Sequence, residues 1–373
     1  MSNSPLNSPW WQPERHKDRR GPLLFRNTAK AAIRRYFADE GFIEVDVGAL
    51  QVSPGNETHL HAFQTQLIGT DQRQHSLYLH TSPEFSCKKL LAAGETKIFT
   101  FAPCFRNQER GALHHPEFSM LEWYRANETI DTVMTDCTNL VQLISLSANT
   151  SQWRMKDIAC DATATPLRLT VRSVFQKYLG FDLGESLKQP ETPDQNVLAH
   201  QARTAGVRVS ADDTWSDIFS RCLTEIEDKI WRDRDYINDA GEPIPPIFLE
   251  GYPSPEAPLA LPDDTDPRFA KRFEMFACGV ELANGYGELC DGPLLRRRLE
   301  AEMTEKQRIY GERYPLDEDF LKACAIMPPS SGCALGFDRL VMLATQCERI
   351  EQVLWAPLRD ANDTSPTQET DDQ

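Results

Sequence analysis

The sequence predicts an α+β domain built around a largely antiparallel sheet. Two observations carry this reading: short strand patterns interleave with helical stripes, and the strand segments follow one another at hairpin-like spacings. A chain of 373 residues can bury roughly three quarters of its unfolded surface, so its core needs no covalent staples.

Residues 1–21 are polar, rich in Pro, Asn and Arg, and lack an apolar stretch, so a disordered tail is expected rather than a signal peptide or anchor. Asn27-Thr28 reads as a helix start, with Ala29, Ile33, Tyr36 and Phe37 on one stripe and Gly41 as the stop. Residues 42–47 alternate as a half-buried strand does. Short strands are expected at 77–79 and 98–102, flanking a helix over 85–93. A strand over 118–124 and a helix over 130–147 follow. Residues 181–215 and 231–267 are rich in Pro, Asp, Gly and Asn; surface insertions and long loops are expected there. Residues 269–289 are strand-rich, 294–310 form a charged helix, and a strand over 332–336 leads into a helix near 338–345. Residues 359–373 read as an acidic tail, leaving one domain over 22–358.

The net charge is −16, from 40 Lys and Arg against 56 Asp and Glu. That balance argues against a tRNA- or DNA-binding protein and favours a partner with a basic surface. The ten cysteines occur singly, with no C-x-x-C pair, and are expected to be reduced. No run approaches the ~18 apolar residues of a membrane span, so a cytoplasmic protein is expected.

Three clusters could carry chemistry. Thr81-Ser82-Pro83-Glu84 is a common helix entry, and Glu84 could be only a favourable first-turn carboxylate or could bind an ammonium group. The run Cys104 to Glu109, with Leu113 to Phe118 and Leu121 to Arg125, is too dense in polar and aromatic residues for an ordinary hairpin. Arg106 offers a planar donor fork for phosphate, and Phe118 a stacking surface for a purine. In the third cluster, Glu281 and Glu288 can meet only if the chain bends at Asn284-Gly285, which would suit Mg²⁺; a plain hairpin is the equal alternative. Gly332 and Gly336 allow close backbone approach to a ligand, and Asp338-Arg339 opens a helix from which Arg339 could reach a phosphate tail. No Walker or dinucleotide-binding glycine loop is present.

Together these clusters resemble the signature motifs of class II aminoacyl-tRNA synthetases, the Arg106 run resembling motif 2 and residues 332–339 motif 3. The Ser82-Pro83-Glu84, His114-x-Pro116-Glu117-Phe118 and Glu281-Leu282-Ala283-Asn284-Gly285 segments are similar to the lysine-specific group. Only about twenty residues precede these motifs, where a true lysyl enzyme carries an OB-fold domain that reads the anticodon. Ala334 replaces the usual Gly, as in truncated paralogues that activate (R)-β-lysine as an adenylate and transfer it to a lysine of elongation factor P.

The resemblance implies ATP and Mg²⁺ as cofactors, elongation factor P as acceptor, and a homodimer. It implies that Ser82, Pro83, Glu84 and Tyr124 line the amino-acid pocket, that Asn284 holds the substrate carboxylate, and that Glu288 binds substrate or metal. Arg106 would contact the α-phosphate and Arg339 the terminal phosphate, both as catalytic groups. Asn107, Gln108, His115, Phe118, Leu282 and Gly336 would complete the ATP site, with Glu281 helping to hold Mg²⁺. Three positions depart from the pattern: Gln108 stands where motif 2 has Glu, His115 where the group has Asn, and the region of Gly48 where motif 1 has Pro. A free-standing ligase with another acceptor, or a catalytically silent paralogue, stays open at this point.

Overall fold

The computed structural model describes residues 9–190, 192–233, 235–236 and 243–358. The chain opens with helix α1 (Pro13–Asp39), then β1 (Ile43–Glu44), β2 (Leu50–Gln51), β3 (Gln64–Ile68) and β4 (Gln74–Leu79). Helix α2 (Glu84–Ala92) leads into a long hairpin of β5 (Lys97–Phe105) and β6 (Glu117–Ala126), followed by α3 (Ile130–Ser147). The middle holds β7 (Gln152–Met155), β8 (Ile158–Asp161), β9 (Leu167–Thr170), α4 (Val171–Leu179), α5 (Gln195–Thr204), α6 (Trp215–Ile230) and β10 (Ile247–Pro253). Strands β11 (Phe269–Ala277) and β12 (Val280–Gly287), helices α7 (Gly292–Tyr310) and α8 (Glu318–Cys324), then β13 (Ser330–Gly336) and α9 (Phe337–Ala344) complete the order.

Eight strands form the main sheet in the order β1-β5-β6-β13-β12-β11-β10-β9. The outer pairs β1–β5 and β9–β10 run parallel, and every pair between them is antiparallel, as expected from the hairpin spacings. Strand alternation divides the sheet's two faces. Leu121, Trp123, Cys333 and Leu335 join Ile33 and Phe37 of α1, Leu140 of α3 and Leu340 of α9 in the largest apolar core. Their neighbours Met120, Glu122, Tyr124, Ala334 and Gly336 therefore face the other side, where the site lies.

The helix expected to begin at Asn27 begins at Pro13 and runs through Pro22, so the predicted tail is helical over 13–21. Its added turns are held by polar contacts that an apolar stripe does not reveal: Arg19 donates to the Leu354 carbonyl, and Arg26 pairs with buried Asp338. Of the remainder of the two predicted tails, residues 9–12 lead into the helix, and 1–8 and 359–373 lie outside the described residues. Within the two stretches expected to be loops, the longer elements are α5 and β10, and most of the other described residues there belong to no helix or strand. Leu198 of α5 and Leu249 and Tyr252 of β10 pack with Phe175 of α4 and Phe219 of α6, which flank those stretches. Thr214 and Asp217 form a capping box at the start of α6, a local signal within the polar stretch. The strand expected over 42–47 pairs only at Ile43–Glu44, and 77–79 belongs to a separate three-stranded sheet, β2-β4-β3.

Candidate active site

The polar face of β6, β12 and β13 floors an open cleft of about 1020 Å³, counting its solvent-filled mouth. Asn284 and Tyr286 come from β12, Ala334 and Gly336 from β13. Between Met275–Ala283 and Phe276–Glu281 the pairing shifts, leaving Leu282 as an extra residue in β12. A bulge of this kind re-aims the side chains beside it, and both Glu281 and Leu282 line the cleft.

No bend forms at Asn284-Gly285. Both residues are paired on both sides within β12, Asn284 with Glu274 and Ala334, Gly285 with Phe273 and Cys333. Gly285 is needed for packing: a Cβ there would stand 2.5 Å from the Phe273 ring. Glu281 and Glu288 consequently lie about 20 Å apart along the strand, at ~3.3 Å per residue, and do not converge. Glu281 reaches Arg339, and Glu288 reaches Lys88. Among the described residues no three His, Cys, Asp or Glu side chains form a metal cluster.

One end of the cleft is acidic and buried. Lys88 Nζ lies 2.5 Å from Glu84 Oε1 and 2.6 Å from Glu288 Oε2, so one ammonium serves two carboxylates. Burial opposes charge on Lys88, but Glu288 and Glu84 outweigh it and hold its pKa above the usual lysine range. Burial pushes Glu288 up to about 7 despite Lys88. With both acids ionised the triad carries net charge −1 away from bulk water, an environment that favours a bound cation. Beside it, Ser82 Oγ and Tyr124 Oη donate to the two oxygens of Glu122 at 2.8 and 2.5 Å. Burial, reinforced by Glu84, raises Glu122 to about 8.

The other end is cationic and aromatic. The Arg106 guanidinium lies 5.2 Å from the Phe118 ring centroid, and Nη1 lies 3.8 Å from Glu109. Arg339, in the first turn of α9, donates to the Glu281 carbonyl at 3.0 Å and meets His114 Nε2 at 2.8 Å. Burial, then the Arg339 charge, lowers the His114 pKa, which suits a neutral ring accepting from Arg339. His115 also lines the cleft, its ring nitrogens engaged by the Glu117 carbonyl and the Leu358 amide.

The cleft thus brings together Ser82, Glu84, Arg106, His115, Phe118, Glu281, Leu282, Asn284, Gly336 and Arg339 of the expected set. Tyr124 and Glu288 stand just behind its wall, through Glu122 and Lys88. Pro83 flanks α2, where Ser82 Oγ also accepts from the Glu84 amide at 3.2 Å, so this segment is both a helix entry and part of the site. Asn107 and Gln108 do not line the cleft. Both are exposed, and Gln108 adopts a left-handed φ of 62°, which leaves Glu109 as the side chain facing inward. Gly332 admits a side chain rather than a ligand: a Cβ there would meet the Tyr124 ring at 2.3 Å. Lys88 and Glu122 went unassigned in the sequence. The available signal was a charged residue inside an apolar segment, Leu121-Glu122-Trp123 and Cys87-Lys88-Lys89-Leu90.

Residues 3–359 match the family of class II tRNA synthetases (D, K and N). The chain belongs to that family and is an enzyme of the ligase class. Similar relatives include proteins named elongation factor P–(R)-β-lysine ligase. The one from Sodalis glossinidius (strain morsitans) is 35% identical over 89% of this chain and 93% of its own length. That of Edwardsiella ictaluri (strain 93-146) is 34% identical over the same shares. That of Haemophilus ducreyi is 33% identical over 95% of this chain and 98% of its own length. No helix among the described residues is long and apolar enough to cross a membrane.

Proposed function

We propose that this protein uses ATP to activate (R)-β-lysine, or lysine, as an adenylate and passes the acyl group to a lysine side chain of elongation factor P. The observation that carries this reading is the polarity of the cleft, with a net-negative pocket at one end and Arg106, Phe118 and Arg339 at the other. A diamino acid and a nucleotide are complementary to that order. The relatives' names and the chain's acidic balance support the acceptor.

In the first step a substrate carboxylate oxygen bonds to the α-phosphorus while the α–β phosphoanhydride bond breaks and pyrophosphate leaves. Glu84, Ser82 and Tyr124, with Glu288 through Lys88, orient the cationic part of the substrate, and Asn284 holds its carboxylate. Arg106 neutralises charge at the α-phosphate, and Arg339 holds the terminal phosphate. Phe118 stacks on the adenine, and Leu282, Gly336 and His115 shape the nucleotide wall. Mg²⁺ fits beside Glu281, one carboxylate together with phosphate oxygens sufficing for this ion, and would neutralise phosphate charge. In the second step the acceptor amine, having lost a proton, bonds to the acyl carbon as the anhydride bond to AMP breaks. We place this activity in the cytoplasm, where the cysteines stay reduced, and in a homodimer that acts without tRNA.

Amino-acid-dependent ATP–pyrophosphate exchange tests the reading, with (R)-β-lysine, (S)-β-lysine and α-lysine compared. Exchange should be strongest with (R)-β-lysine, and Arg106→Ala should lower it about 10²- to 10³-fold. Absence of exchange with every lysine isomer would overturn it.

A further inference from the structure

Five carboxylates line the cleft, from Glu57, Glu84, Glu109, Glu281 and Asp338. Four have a basic partner: Glu84 has Lys88, Glu109 has Arg106, Glu281 has Arg339 and Asp338 has Arg26. Glu57 makes no hydrogen bond or ion pair among the described residues. It lies with Ser82 and Glu84 on the wall shared by the main cleft and a smaller side cavity.

The chain around Glu57 is fastened on both sides. Thr81 Oγ1 donates to the Pro54 carbonyl at 2.9 Å, and Asn56 Nδ2 to the Pro315 carbonyl at 3.3 Å. Thr58 donates through its amide and hydroxyl to Glu302 at 3.0 and 2.6 Å. Lys306, fully buried in α7, donates to the carbonyls of Thr58 and Leu60 at 3.0 and 2.8 Å. Gly55, at φ +126°, brings its backbone so close to Thr81 that a Cβ would stand 2.9 Å from Oγ1. The segment is therefore held in one position while its carboxylate makes no hydrogen bond or ion pair among the described residues, the Arg106 charge acting on it only from beyond ion-pair distance. This is the arrangement expected of a group reserved for a ligand.

We propose that Glu57 is a substrate-binding residue that sets specificity for a diamino acid by receiving one of its two ammonium groups. This rests on the function proposed above. The count of charges supports it: the Glu84–Lys88–Glu288 triad offers one spare negative charge, which suits one ammonium, and the second needs another. Burial pushes the free Glu57 carboxyl up to about 7, as expected for an acid awaiting a cation.

The test uses the full chain in pyrophosphate exchange with (R)-β-lysine, 3-aminohexanoic acid and 6-aminohexanoic acid, the latter two each lacking one amine. Glu57→Gln should raise KM for (R)-β-lysine by about tenfold to a hundredfold, leaving KM for ATP and the thermal midpoint unchanged. With whichever analogue lacks the amine that Glu57 receives, variant and wild type should be alike. Equal penalties with all three compounds, or a rise confined to KM for ATP, would overturn the assignment. Should Glu57→Gln not fold, Glu57→Asp keeps the charge with a shorter reach, and an unchanged KM there would overturn it as well. Exchange by the wild type that Glu57→Gln leaves intact sinks this inference alone; no exchange by the wild type sinks the function proposed above with it.

Discussion

The two ends of the cleft are built on different physical plans. At the acidic end, Glu84, Lys88, Glu122, Tyr124 and Glu288 are buried and, with partly exposed Ser82, interlock within hydrogen-bond reach. At the cationic end, Arg106 and Arg339 are partly exposed and their carboxylate contacts are longer, 3.8 Å to Glu109 and 3.5 Å to Glu281, while Arg339 is fixed by the Glu281 carbonyl at 3.0 Å and His114 at 2.8 Å. Buried charge is unforgiving, because each group left without its partner retains its full desolvation penalty. Under the proposed function, the acidic end would discriminate among small substrates of one charge pattern, while the cationic end would adjust around a larger ligand whose phosphates supply the missing charge.

The sharpest way to break this contrast is Lys88→Met, which leaves Glu84 and Glu288 facing each other without a cation. Urea unfolding at pH 7 should show a loss of about 3–5 kcal/mol, smaller at lower pH where the carboxyls take up protons. A comparable cut at the open end should leave stability almost intact and appear in exchange kinetics instead. Gly332→Ala comes next. Its methyl group would overlap the Tyr124 ring, so a loss of about 1–3 kcal/mol is expected, with KM for the amino acid raised more than KM for ATP.

The pH dependence of stability sharpens the contrast further. Glu122 is raised from its ordinary 4.5 to about 8 in the fold, so the folded protein binds more protons than the unfolded chain between those values. Its contribution to stability falls as pH rises through that window. Glu122→Gln should flatten the decline by up to about 1.4 kcal/mol per pH unit, seen as denaturation midpoints measured between pH 5 and 8. The smallest effect belongs to Gln108→Ala. Exposed and outside the cleft, it should change exchange by less than about threefold, whereas Glu109→Ala should raise KM for ATP.

Much of this was legible in the sequence. The segment 130–147 matches α3 to the residue, and 294–310 matches α7 within two; α3 buries a mostly apolar stripe, whereas α7 buries Leu295, Leu299 and Met303 together with Arg298 and Lys306. The clusters at 82–84, 106–118 and 332–339 do meet in one cleft. The start of α1 and two buried charges of the cleft wall were hidden. The first turns of α1 are held by Arg19 and Arg26, residues that a hydropathy pattern assigns to solvent. Lys88 and Glu122 were masked in the same way, since one sequence does not distinguish a carboxylate aimed inward from one aimed out. The bulge at Leu282 was invisible too. It arises from pairing with a neighbouring strand, and it lets Glu281 face the cleft without any bend at Asn284-Gly285.

The place of β13 bears on how the protein is made. It lies between β6 and β12, joining the hairpin of β5 and β6 to the meander of β10, β11 and β12, yet it is the last strand among the described residues. During synthesis from the N-terminus, the two halves of the sheet exist before the strand that unites them, each with an open edge able to pair with another chain. Arg339 follows three residues after that strand, so the cleft is assembled only once the chain through residue 339 has emerged. A nascent chain ending before residue 330 would be inactive and would depend on chaperones to remain soluble.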